Sequence, residues 1–341
     1  MLIPVFKPTI KRKDMDAVLT CMVSDSLGPG EITDSFVTRV SEYLELPGGI
    51  ALREYPRALE IALELLDLPE GAKVIISALS PAFYIDVLKR KGYEPLIADV
   101  DPSNAAIHPE RVAELLPLGP AALVVHYPLG FVPDLEALSQ FGLPIIEDIS
   151  TALGSHTGVK RGGNYGRFVI VGCEPDGIIT AGGGALLLAG GKRELTILKN
   201  YCEGISSYLF LPDMNAALGT VQAGMLEHFI ARRKEIAQLF IRAILQSEHK
   251  TLSQTGDAEN IFYSFPVHVK SGLRDVSVYV RKKGIQTREA FQDTVIQRLE
   301  DGSTKFPVAH GFYLRCILFP LYPALGKKNS ELMGKVLATL P

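Results

Sequence analysis

Glu147 and Asp148 close a short apolar run, Pro144–Ile146, at the place where an α/β sheet presents its ligand groups. The alternative for such a pair, ahead of a turn, is to cap local backbone donors. His126 and His268 lie within or beside apolar runs and read as satisfied structural residues rather than ligands. No spacing of His, Cys and Asp argues for a metal. The four cysteines, Cys21, Cys173, Cys202 and Cys316, are too scattered for a CxxC site or a disulfide scaffold and read as reduced core thiols. Gly182-Gly183-Gly184 follows a turn between two apolar runs instead of opening a helix, so it implies a tight backbone passage and not a dinucleotide fingerprint. Arg232-Arg233-Lys234 reads as a solvated helix face.

Alternating helices and strands must position these groups. Ser35–Leu46 and Pro56–Leu66 carry apolar residues at three-to-four spacing, whereas Lys73–Ser77, Pro95–Ala98, Ala121–Val125 and Pro144–Ile146 are compact and apolar throughout. Runs without polar alternation suit parallel strands covered by helices on both faces, which predicts a three-layer α/β sandwich. Phe168–Cys173 and Ala185–Leu188 read as two neighbouring strands, and Met214–Phe240 as one or two helices leaving the large domain. Beyond them Ile261–Val269 reads as a strand, Ser271–Lys283 as a helix, Gly284–Arg288 as a further segment and Ser330–Leu340 as a last helix. The division expected is a large domain over 1–235 and a smaller C-terminal α/β domain over 236–341, packed together without a linker.

With 341 residues, 47% hydrophobic, 21% charged and a net charge of −3, the chain has the composition of a globular protein and no basic field for nucleic acid or an anionic membrane. The N-terminal stretch reaches Pro4 and Lys7 too soon for the apolar core of a signal peptide, and the most apolar run, Ala181–Gly191, is too short to span a membrane. A cytoplasmic protein is expected.

Seven patterned segments, in order over nearly the whole length, resemble the DegT-type family of pyridoxal-phosphate (PLP) aminotransferases acting on nucleotide-linked keto sugars. They are Ile3–Pro8; Asp25-Ser26-Leu27-Gly28-Pro29-Gly30 with Phe36; Gly92–Pro95 with Asp99-Val100-Asp101; Val125–Gly130; Ile146-Glu147-Asp148 with Ala152-Leu153-Gly154; Asp213–Gly219 with Phe229–Arg233; and Phe319–Pro323. The resemblance implies the PLP-transferase type I fold: a large domain with a mostly parallel seven-stranded sheet, a small C-terminal domain, and a homodimer with active sites at the subunit interface.

PLP chemistry requires a lysine for the cofactor aldehyde, a carboxylate on the pyridine nitrogen, donors for the phosphate and an aromatic face for the ring. The resemblance puts Asp148 in the carboxylate place. Aligning Thr180–Ala185 with the family's threonine-glycine-acid-glycine-glycine segment puts Asp176 in the lysine's place, and no lysine occurs between Lys160 and Lys192. Either of those lysines would have to arrive from an unrelated direction. Where the family has a Ser-Gly-Thr phosphate turn, this chain has Glu54-Tyr55-Pro56: a carboxylate, a bulky ring and a residue without an N–H. Pro56 suits the first helical position, and Arg57 on the same turn reads as a solvated surface group rather than a replacement charge. Pro81 takes the place of the ring-stacking aromatic, with Phe83 and Tyr84 close enough to shift that register. Thr151 replaces the family's Gln or His, and Tyr208 and Phe210 replace an Asn and an Arg. The expectation is a noncatalytic homologue of the sugar aminotransferases, homodimeric, without covalently bound PLP, its cleft open to a nucleotide-sugar or other small anionic ligand. The competing expectation is an active aminotransferase or dehydratase using PLP or its amine form (PMP), with Asp176 as general base.

Overall fold

The computed structural model describes residues 2–25, 27–158, 160–254 and 256–341; Ser26 of the expected glycine turn lies outside the described residues. The chain first lays down β1 (Gly49–Leu52), β2 (Lys73–Ser77), β3 (Glu94–Ala98), β4 (Ala122–His126) and β5 (Ile145–Asp148). A short hairpin, β6 (His156–Thr157) and β7 (Lys160–Arg161), precedes β8 (Phe168–Gly172) and β9 (Ala185–Ala189). The large sheet has the order β1-β9-β8-β5-β4-β2-β3. Strands β8, β5, β4, β2 and β3 are parallel, and β9 runs antiparallel to both its neighbours, β8 and β1. This is the mostly parallel seven-stranded sheet expected.

Successive side chains of a strand point to opposite faces, and both faces here are covered. Ile75, Leu123, Val125, Val169 and Val171 belong to one apolar cluster, and their strand neighbours Val74, Ile76, Val124, Phe168 and Ile170 to another. The helix Tyr55–Leu65 buries Leu59, Ile61 and Leu63 on the second face, and Glu31–Leu44 buries Phe36, Val40 and Leu44 on the first. Glu31–Leu44 starts earlier than its apolar spacing suggests because its cap comes from far away. Gly30 precedes it with no side chain to offer, and the Asp213 carboxylate accepts the N–H groups of Gly30 (2.9 Å) and Thr33 (2.8 Å). The helix stops at Leu44, where Glu45 turns left-handed.

The tight passage between β8 and β9 is confirmed in its backbone: Gly182, Gly183 and Gly184 all have positive φ, and a Cβ on Gly184 would lie 2.5 Å from the Leu52 carbonyl oxygen. Two helices, Asp213–Ala223 and Leu226–Ile244, follow, the second running across the division expected at residue 235.

The remaining strands are β10 (Lys250–Thr251), β11 (Ala258–Glu259), β12 (Phe265–His268), β13 (Arg288–Glu289) and β14 (Cys316–Phe319). A second, antiparallel sheet has the order β10-β12-β14-β13, while β11 joins the β6–β7 hairpin. The strand expected over Ile261–Val269 is therefore shorter. Phe262 turns left-handed at φ 56°, which breaks the extended run before β12.

The reading of Arg233 as solvated is overturned. Its side chain is buried, with Nη1 donating to the carbonyl oxygens of Phe262 (3.2 Å), Tyr263 (2.6 Å) and Leu321 (2.8 Å). It satisfies the irregular backbone just before β12 and just after β14, and burial pushes its guanidinium pKa down to about 10. Arg232 keeps a surface ion pair with Glu235. Replacing Arg233 by Ala strands three buried acceptors and is expected to destabilise the fold by about 3 kcal/mol or more. Arg232→Ala is expected to cost under about 1 kcal/mol. Chemical denaturation of both variants measures the difference.

Candidate functional site

Parallel register brings the C-terminal ends of β4, β5 and β8 together: His126 pairs with Asp148, and Asp148 with Ile170. The Asp148 carboxylate is wholly buried at this edge. Its Oδ2 accepts the hydroxyl protons of Tyr55, from the first turn of helix Tyr55–Leu65, and of Tyr84, from helix Phe83–Arg90. Its Oδ1 accepts the Ser150 N–H at 3.0 Å and the Ser150 hydroxyl. Burial, then the Asp148 charge, pushes both phenols well above their ordinary pKa.

Next to Asp148, Glu147 points to the opposite face. It accepts the Tyr127 hydroxyl and the backbone N–H groups of Gly163 (2.9 Å), Tyr165 (2.7 Å) and Gly166 (2.5 Å). Glu147 thus caps backbone donors, and Asp148 does so through Ser150. Burial pushes the Glu147 carboxyl up, while these donors pull it back down.

His126 departs from the satisfied role expected of it. Its Nδ1 is buried without a hydrogen-bond partner among the described residues, 4.0 Å from Asp148 Oδ2. Burial depresses its pKa and the Asp148 charge opposes that shift. His268 is half-buried, edge-on to Phe312 at 5.8 Å between ring centroids.

Over this floor opens a cleft of about 260 Å³, its walls including Tyr55, Pro81, His126, Asp176, Tyr263 and Arg288. Asp176 is half-exposed there, its Oδ2 3.8 Å from Nη1 of Arg288, whose Nη2 lies 3.8 Å from Asp293 Oδ2. Arg288 arrives on β13 of the small sheet and Asp176 on the loop between β8 and β9, so an ion pair joins that loop to the small sheet across the cleft. Glu174 adds another carboxylate: burial pushes its pKa up, the Gly184 N–H pulls it down, and Asp176 adds to the rise. Among the described residues no lysine lines the cleft. Lys160 lies 4.5 Å over the Tyr165 ring, and Lys192 opens the helix Lys192–Cys202.

Of the residues singled out from sequence, Tyr55, Pro81, Thr151 and Asp176 line this cleft and Asp148 lies beneath it, whereas Pro56, Arg57 and Tyr208 do not line it. Thr151 is at the wall, but its hydroxyl donates to the Tyr127 carbonyl. Pro81 is bridged to Thr294. Pro56 occupies the second helical position rather than the first, because Tyr55 already opens the helix. Arg57 is not the solvated group expected: it pairs with Glu60 at 2.8 Å and Glu64 at 3.8 Å and reaches the Tyr201 hydroxyl. Tyr208 is 81% exposed. Sequence reasoning missed Tyr263, Glu174 and the inward role of Arg288. Tyr84 was visible only as an aromatic near Pro81, and its place in the first turn of helix Phe83–Arg90 is what carries it to Asp148.

A sequence profile of the DegT/DnrJ/EryC1/StrS aminotransferase family matches residues 8–337. The chain belongs to that family. Among curated relatives, the dTDP-4-dehydro-2,3,6-trideoxy-D-glucose 4-aminotransferase of Saccharopolyspora spinosa is 25% identical over 95% of this chain and 93% of its own. GDP-perosamine synthase of Escherichia coli O157:H7 is 22% identical over 96% and 95%. In fold, the chain is similar to Spr1654 of Streptococcus pneumoniae, solved in PLP, PMP and apo forms; the PLP form superposes with a TM-score of 0.90 at 18% identity, over 99% of this chain and 98% of that one. The architecture is that of the PLP-dependent aminotransferases.

Two outcomes test the geometry of this DegT-family site. Glu147→Gln turns one acceptor oxygen into an NH2 group facing buried donors, and is expected to destabilise by about 2–4 kcal/mol in chemical denaturation. His126 has a folded pKa below its unfolded value of about 6.5, so in the window between them the unfolded chain binds the extra proton and stability falls as pH drops. The Tm decline between about pH 7 and pH 5 is therefore expected to be shallower in His126→Gln than in the parent.

Proposed function

We propose that this chain is a noncatalytic homologue of the family's sugar aminotransferases, serving nucleotide-sugar metabolism as a homodimer in the cytoplasm without covalently bound PLP. The observation that carries the reading is the carboxylate–guanidinium pair Asp176–Arg288 in a cleft whose described lining holds no lysine. A lysine side chain is the group that ties the PLP aldehyde to a protein, and a carboxylate cannot replace it. The rest of the donor set also fits PLP poorly. Asp148 is engaged by Tyr55 and Tyr84, the Thr151 hydroxyl is spent on a carbonyl, and the helix start that would face a phosphate carries Tyr55 and Pro56.

A second reading has one observation in its favour: Asp176 is half-exposed at the cleft wall, where a carboxylate can move a proton. On that reading the chain is an aminotransferase or dehydratase acting on a keto nucleotide-sugar with PLP or PMP held noncovalently, and Asp176 is its base.

Incubation with excess PLP, followed by borohydride and removal of small molecules, separates these readings from ordinary transamination. The expected result is no protein-linked imine absorbance in the visible before borohydride and no pyridoxyl group retained on the polypeptide after it. A reducible chromophore bound to the polypeptide overturns the proposal, as does amino transfer from glutamate to a keto nucleotide-sugar.

A further inference from the structure

Tyr55 has a role that the loss of a lysine does not require. An ionised carboxylate offers about four lone-pair positions, and at Asp148 all are taken: two phenolic hydroxyls on Oδ2, and the Ser150 N–H and hydroxyl on Oδ1. Asp148 does not reach the cleft, while Tyr55 lines it. The Tyr55 ring therefore stands between the open space and the carboxylate, with its polar edge turned to Asp148. A ring edge that carries a donor and points at a buried carboxylate is what a protonated pyridine nitrogen would present to the same group.

The ring is held on several sides. Its backbone opens the helix Tyr55–Leu65 ahead of Pro56, its ring packs T-shaped against Phe83 at 5.0 Å between centroids, and its hydroxyl is bonded to Asp148.

We infer that Tyr55 is a built-in occupant of the cofactor-ring position, its phenol making to Asp148 the hydrogen bond that a pyridinium N–H would otherwise make. The inference rests on the noncatalytic reading and deepens it. Exclusion of the ring would then be active, a matter of occupied volume and a saturated carboxylate, and separate from the missing amine. Removing Tyr55 frees both the space and one lone pair of Oδ2. Removing only its hydroxyl frees the lone pair and leaves the space filled.

Pyridoxamine is the probe, because it keeps the ring and its nitrogen but has neither an aldehyde to react with lysine nor a phosphate to need the altered helix start. Its binding is read by its own fluorescence on the full chain and on the variants Tyr55→Ala, Tyr55→Val, Tyr55→Phe and Tyr84→Phe. Tyr55→Ala is expected to bind at least about tenfold more tightly than the parent. Tyr55→Val is expected to show the same gain and serves where Tyr55→Ala fails to fold. Tyr55→Phe and Tyr84→Phe, which leave a ring in the seat, are expected to stay at the parent level. Parent binding equal to that of the small-residue variants, or a gain in Tyr55→Phe matching theirs, overturns the inference. Since no covalent step is involved, this result is independent of the borohydride outcome: a tethered chromophore elsewhere would end the noncatalytic reading without touching the Tyr55 measurement.

Discussion

A wholly buried carboxylate at the end of a central parallel strand is costly unless each of its lone pairs finds a donor, and the site is organised around meeting that demand at Asp148. The donors come from three parts of the chain: the start of helix Tyr55–Leu65, the helix Phe83–Arg90, and the turn that follows β5 itself. Each element is thereby tied to the sheet edge by a charge-assisted hydrogen bond as well as by apolar packing. Directly alongside, the His126 Nδ1 has no hydrogen-bond partner among the described residues.

Glu147 and Asp148 illustrate how a strand divides labour between its two faces. Adjacent residues point in opposite directions, so one carboxylate gathers the backbone of residues 163–166 on one side while the other gathers phenols on the opposite side. Arg233 plays the corresponding part with the opposite charge, holding the carbonyls that flank the small sheet. Buried ionic groups thus organise the irregular backbone around each sheet, which apolar packing alone could not satisfy.

A fold and the lining of a cleft answer to different numbers of residues. Strand runs, the glycine passage and the helix faces are each encoded by many residues, so a fold can persist at around 20% identity. A cofactor site depends on a handful of side chains, and exchanging a few changes its charge and volume while disturbing little else. The Asp176–Arg288 pair also ties the loop between β8 and β9 to the small sheet across the cleft.

The large sheet was legible in the sequence because its strands are buried on both faces and read as unbroken apolar runs: six of them were found close to their true positions, Lys73–Ser77 without any shift. Asp148 and Asp176 were legible because local patterns surround them. The edge strand β1, four residues with a glycine at its start, was too short to announce itself, and β14 at the heart of the small sheet lay inside a stretch with no expectation of structure. Long-range partners were out of reach altogether. That Tyr84 meets Asp148, that Asp213 caps a helix some 180 residues away, and that Arg233 turns inward to Tyr263 and Leu321 depend on which elements the topology brings side by side. Local sequence specifies periodicity and backbone preference; the destination of a polar side chain is decided only when burial removes water and leaves it one set of partners to find.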